Sequence, residues 1–197
     1  MTAKLLLGTR NAGKIAELRA LLRGLELDLV TLDDLPTAPT EPAEDATSYE
    51  GNAIAKAVAY ARTTGLRAIA DDSGLEVDAL GGAPGVRSRR FFGDDATPED
   101  RNRMLLGLLD GVTHRSARFI AVIALAQPDG RVETFDGEVR GEIAKAPRGE
   151  DGFGYDPVFV IAGDGRTMAE VPRAEKNAIS HRGLAAAKLR AALGSGR

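Results

Sequence analysis

The chain has no cysteine and no tryptophan, only two histidines, and just 5% aromatic residues among its 197 positions. Each shortage closes a route to function. Without thiols there can be no disulfide, Cys-ligated zinc, iron–sulfur cluster or thiol nucleophile. His114 and His181 are too few for a multi-histidine metal site. Long apolar runs are also missing: nothing approaches the ~20 apolar residues that a membrane span requires. The apolar run near the amino terminus, residues 5–7, is too short for the core of a secretory signal. A soluble, cytoplasmic protein is the expectation. Neither charge is in excess, since 26 basic and 29 acidic side chains leave a formal net charge of −3. That balance argues against a coat for nucleic acid or for an anionic membrane, so no partner of either kind is expected. What is present is 43% apolar residues, ample to bury the core of a single domain over residues 1–197.

Periodicity supplies the order of elements. Residues 4–7 form a short apolar strand that runs into the loop Gly8, Thr9, Arg10, Asn11, Ala12, Gly13, Lys14. From Lys14, Ile15, Leu18, Leu21 and Leu22 recur at helical spacing, with Gly24 in the place of a C-cap. Leu25, Leu27 and Leu29 alternate with acids as in a half-exposed strand, and residues 33–47, with three prolines and five acids, form an extended loop. Residues 52–62 are helical, ended by Gly65; 67–70 form a strand whose far end is Asp71-Asp72-Ser73-Gly74; 75–79 suggest another strand. Thr97 caps a helix with Pro98 at its first position, running to Asp110. Residues 119–126 and 132–139 read as a hairpin around Pro128-Asp129-Gly130, and a last helix lies around 185–193. Units of strand and helix mixed with a hairpin predict an α/β fold with a mixed central sheet and flanking helices.

Four segments could carry chemistry. The loop from Gly8 to Lys14 has the spacing of a phosphate-binding G-x-x-x-x-G-K motif between strand and helix, but Ile15 stands where that motif needs Ser or Thr for magnesium. Its helix N-terminus, with Asn11 and Lys14, still suits a phosphate; an ordinary turn with a solvated Lys14 fits equally. Asp71 and Asp72 are two adjacent carboxylates, costly unless a cation neutralises them. Magnesium, which takes one or two carboxylates plus substrate phosphates, is one candidate; an Asx turn after a strand is the plainer reading. In Phe153, Gly154, Tyr155, Asp156, an aromatic between glycines suits a flat ligand and the carboxylate can accept hydrogen bonds, or the segment is a β-turn before a core strand. Residues 175–183 pack Lys176, His181 and Arg182 just ahead of a helix, against the usual preference for acids there.

In order and spacing, these segments resemble the inosine triphosphate pyrophosphatase family, the noncanonical purine nucleoside triphosphate pyrophosphatases. The likeness also uses Glu44, residues 52–57 and residues 82–86, and spans essentially the whole chain. The resemblance implies an elongated two-lobed α/β domain with an active-site cleft between lobes, a homodimer, and magnesium-dependent hydrolysis of ITP, dITP or XTP to the monophosphate and pyrophosphate. It implies that Thr9, Arg10, Asn11, Ala12, Gly13 and Lys14 hold the triphosphate and that Lys56 reaches the phosphates. Glu44 and Asp72 would hold magnesium, and Asp72 would accept the proton of the attacking water. Ser73, Phe153, Gly154, Tyr155, Asp156, Lys176, His181 and Arg182 would meet the nucleotide, chiefly its base. Four positions depart from the family pattern: Arg10, Gly51, Arg89 and Phe92. Gly51 stands where a second acid is common, which leaves Glu50 outside the expected ligand set; residues 87–90 are unusually basic. A broader triphosphatase built on the phosphate-loop lookalike, and a non-catalytic nucleotide sensor, are the competing readings.

Overall fold

The computed structural model describes residues 3–37 and 39–195. β1 (Ala3–Leu7) pairs in parallel with β2 (Leu27–Thr31) on one side and β3 (Arg67–Val77) on the other. Parallel neighbours need a crossover; α1 (Ala12–Leu21) and α2 (Tyr49–Thr64) lie in the two connections. β4 (Ser116–Ala126) and β5 (Val132–Ile143) are neighbours closed by Gln127 N donating to Arg131 O at 2.8 Å, the expected hairpin. β6 (Phe159–Ile161) runs antiparallel to β5. The sheet order is β2-β1-β3-β4-β5-β6, so the sheet is mixed, as the sequence implies. α3 (Pro98–Leu108), α4 (Arg173–Ile179) and α5 (His181–Ser195) complete the helices.

The chain forms two compact units. One contains residues up to Asp72, 121–137 and those from Arg182 onward. Its core sets Leu5 and Leu7 of β1, Ile69 of β3 and Ile123 and Leu125 of β4 against Leu18 of α1, Leu22 at its C-cap, and Ala185, Ala186 and Leu189 of α5. At roughly 1.5–3 kcal/mol for each fully buried large aliphatic side chain, this packing is what holds α1 and α5 in place. Gly8 lets β1 end tightly against this unit's other parts, since a Cβ there would lie 2.6 Å from the Tyr60 ring and 2.9 Å from Ile69 O. The other unit contains residues 73–120 and 138–181. Leu75, Val77, Phe119, Ile143 and Phe159 pack there with Leu105 of α3 and Leu109 at its C-cap, and the rings of Phe119 and Phe159 lie 4.4 Å apart.

Several boundaries differ from the sequence reading. β3 does not stop at Ala70 and restart at Leu75; it runs unbroken through Asp71, Asp72, Ser73 and Gly74. The Asx-turn alternative therefore fails. α1 begins at Ala12 rather than Lys14, because Asn11 is its N-cap and accepts from Lys14 N at 3.1 Å. α2 begins three residues early, capped by Ser48, and ends at Gly65 (φ 69°) as expected. α3 ends at Leu108 instead of Asp110. Residues 175–183 are not a prelude to a helix: they span α4 and the first turn of α5, which starts at His181.

Candidate active site

Side chains alternate along a strand, so Asp71 and Asp72 leave β3 on opposite faces. Asp71 shares its face with Ile69 and therefore meets α1 and α5. Its Oδ2 accepts from Lys14 Nζ at 3.0 Å and from Arg182 Nε at 2.9 Å, and Arg182 Nη1 donates to Glu17 Oε2 at 2.5 Å. Asp72 meets α2 instead, accepting from Asn52 Nδ2 at 3.0 Å with Lys56 Nζ 3.6 Å from its Oδ1. Lys56 Nζ also donates to Glu44 Oε1 at 2.5 Å and to the Asp71 backbone carbonyl at 2.9 Å. Two carboxylates thus share one ammonium group.

The two aspartates titrate in opposite directions. Burial pushes Asp71 up, but Lys14, Arg182 and Lys56 outweigh it and hold the carboxyl well below the usual carboxylate range. For Asp72 burial prevails and the pKa is raised, with Lys56 and Asn52 opposing. A carboxylate of raised proton affinity is the better proton acceptor. Burial disfavours the charged form of Lys56, yet Asp72, Asp71 and Glu44 together raise its pKa. For Lys14 burial wins over Asp71 and the pKa falls.

The donor set suits a hard divalent cation. Glu44 and Asp72 already stabilise a positive charge, that of Lys56, and the Glu44 side chain is 28% exposed. Among the described residues no group of three or more carboxylates or imidazoles converges as a ready metal cage. An ion held by two carboxylates would complete its shell with phosphate oxygens and water, the usual habit of magnesium.

Ahead of these groups lies the α1 N-terminus, whose first amides have no intrahelical acceptor. Thr9 Oγ1 accepts from Asn11 N at 3.2 Å and Asn11 caps the helix, which fixes the loop carrying Ala12 and Gly13. Ile15 packs against the core of its unit, so the position that a phosphate loop gives to a magnesium-binding hydroxyl is used here for packing. Arg10 donates to Pro39 O at 3.4 Å, in the acidic loop.

In the other unit, Asp156 Oδ2 accepts from Lys176 Nζ at 2.6 Å and from Phe153 N at 2.7 Å, a pair of charges with side chains 4% exposed. Lys176 Nζ also lies 5.1 Å from the centre of the half-buried Phe153 ring. Gly152 (φ 82°) makes this turn possible, since a Cβ there would sit 2.2 Å from Asp156 Oδ2. Tyr155 is anchored by its hydroxyl, which donates to Ser88 O at 2.9 Å, and Asn102 Nδ2 donates to Gly154 O at 3.1 Å. His181 stacks on Phe119 at 4.7 Å, and Ser73 is half-buried in β3. The structure therefore brings Lys14, Lys56, Glu44, Asp72 and Arg182 together in one unit and Phe153 to Asp156 with Lys176 in the other.

A model of the Ham1 family matches residues 5–192. The chain belongs to that family. It is 49% identical to the dITP/XTP pyrophosphatase of Geobacter sulfurreducens, over 97% of this chain and 96% of that one. Among solved structures it is similar to a Ham1 protein from Coxiella burnetii, with 40% identity, a TM-score of 0.90 and coverage of 98% of this chain and 100% of that one. A Staphylococcus aureus Ham1 protein gives 36% identity and a TM-score of 0.88 over the same shares. The family resemblance drawn from the motifs is borne out, as is the mixed α/β sheet.

Within this Ham1 chain several contributors escape a reading by motif. Glu17 looks like a solvated helix acid, yet it is 6% exposed and paired with Arg182 across 165 positions. Asn52 orients Asp72 and also accepts from Ala46 N at 3.0 Å. Arg182, expected among the base contacts, has its guanidinium on Asp71 and Glu17. Of the departures from the family pattern, Gly51 has a steric cause. A Cβ at Gly51 would lie 2.8 Å from Ala46 Cβ, which disfavours any side chain there, and Glu50 accepts from Thr134 Oγ1 instead of joining Glu44. Phe92 packs on the core of its unit, and Arg89 offers its carbonyl to Arg101.

Proposed function

We propose that this chain hydrolyses noncanonical purine nucleoside triphosphates, dITP, XTP and ITP, to the monophosphate and pyrophosphate. The observation that carries the reading is the pair Glu44 and Asp72 on one ammonium group, Lys56, with Lys14 beside Asp71. The name of the Geobacter sulfurreducens relative supports the same substrate class. The α1 N-terminus, from Thr9 through Arg10, Asn11, Ala12 and Gly13 to Lys14, takes the triphosphate. Lys14 and Lys56 offset the charge that builds on departing pyrophosphate. Asp72 accepts the proton of a water attacking the α-phosphorus in line with the leaving group. Magnesium held by Glu44 and Asp72 supplies Lewis-acid stabilisation of phosphate charge when bound.

Phe153 offers a flat face, and Lys176 and His181 supply donors for the carbonyl at purine position 6, where adenine carries an amino group instead; Arg182, held on Asp71 and Glu17, is not counted among them. Asp156 fixes Lys176, and Ser73, Gly154 and Tyr155 complete the nucleotide contacts. A site built to hydrogen-bond one group discriminates by about 10⁴ against a substrate lacking it. With no cysteine and no Ser-His-Asp signature in the chain, direct attack by water fits better than a covalent intermediate. A homodimer and a cytoplasmic location belong to the same reading, on the strength of the family resemblance. Pyrophosphate and orthophosphate release from dITP, XTP, ITP, GTP and ATP with magnesium tests it. Pyrophosphate from the first three, with ATP far slower, is the expected result; equal rates for ATP and ITP would refute reading of the carbonyl, and orthophosphate release would favour a broader triphosphatase.

A further inference from the structure

Among the described residues of its unit Asp71 is the most enclosed charged group, with a side chain of zero exposure, so it lies behind the lysines rather than beside a ligand. Its Oδ2 holds Lys14 and Arg182, and its backbone carbonyl holds Lys56 at 2.9 Å and Lys14 at 3.4 Å. One residue of β3 thus restrains the ammonium groups of two lysines that come from two different helices. A lysine ammonium rides on a flexible four-carbon stem, and its placement must come from a partner. The partner is itself fixed: Arg182 bridges Asp71 to Glu17 of α1. Asp71 Oδ1 is buried without a hydrogen-bond partner, an arrangement a buried carboxylate tolerates only among cations.

We propose that Asp71 is a positioning residue for triphosphate binding: its carboxylate aims Lys14, its carbonyl aims Lys56, and the Arg182–Glu17 pair locks the carboxylate. The proposal rests on the reading that these lysines meet the triphosphate. It opposes the simple electrostatic expectation, in which an acid beside a phosphate site repels phosphate and its removal tightens binding.

Asp71→Asn keeps the shape and removes the charge. With XTP and magnesium, the KM and the inhibition constant of inorganic triphosphate should both rise by about tenfold or more. In a Lys14→Gln background the same substitution should add little, because the effect passes through Lys14. Unchanged or tighter binding in D71N, or an equal rise in both backgrounds, would overturn the proposal. The lysine ammonium signals of the unmutated protein, followed by nitrogen-15 NMR and assigned with K14R and K56R, decide the matter if D71N fails to fold. Lys14 and Lys56 protons should exchange slowly with water, and a Lys14 signal exchanging as fast as an exposed lysine's would contradict the clamp. Absence of pyrophosphate release from every nucleotide by the wild type would sink the functional reading alone, since the NMR result judges the clamp separately.

Discussion

In the proposed reaction the most exacting residue is Asp72, whose carboxylate is set between Asn52 and Lys56 with a pKa raised by burial. Replacing it with Asn keeps the hydrogen bond to Asn52 within reach but removes the proposed proton acceptor. Turnover of XTP by D72N should drop by roughly 10²–10⁴, while equilibrium binding of XTP persists; wild-type turnover would remove Asp72 from the chemistry. Tyr155 gives a pH signature. Burial pushes its hydroxyl up to about 12 in the folded protein, from an ordinary value of 10.0. A folded-state pKa above the unfolded one means that its contribution is whole below pH 10 and is lost as pH rises towards 12. Urea unfolding from pH 9 to 11.5 should show stability falling across that window, and the fall should shrink in Tyr155→Phe, which loses the bond to Ser88 O at every pH.

Among the elements, what local pattern could reveal and what it could not divide cleanly. β1, the caps at Thr97 and Gly65 and the β4–β5 hairpin were legible because apolar runs, a capping hydroxyl and turn residues act within a few positions. The unbroken course of β3 was not, since Asp, Ser and Gly are poor strand formers. What overrides that preference is tertiary: Lys14 and Arg182 on one face and Asn52 and Lys56 on the other. The candidate site was legible in its residue types and order but not in its pairing, as Glu17 and Asn52 show. The turn before β6 offers a test at this scale. Gly152→Ala forces a Cβ to within 2.2 Å of Asp156 Oδ2 at φ 82° and should cost about 1–3 kcal/mol in urea unfolding while raising the KM for XTP. Gly154→Ala (φ 66°) meets nothing within 4 Å and should cost only the left-handed strain, about 1–2 kcal/mol. Equal KM effects from both would mean that Asp156 does not depend on that turn.

For the whole molecule, a near-neutral charge balance of 26 bases against 29 acids does not forbid a polyanionic substrate. It argues only against a long one. A triphosphate needs only local cations, and Lys14 and Lys56 are local, each set against acids that hold it in place. The same acids make the account dependent on added metal: stripping divalent ions with a chelator should abolish turnover, and magnesium should restore it. The central claim is attack by water on the α-phosphorus, and hydrolysis of dITP in water enriched in oxygen-18 tests it most directly. Mass spectrometry of the products should find the label in the nucleoside monophosphate and none in pyrophosphate. Label in pyrophosphate, or in released orthophosphate, would contradict the account.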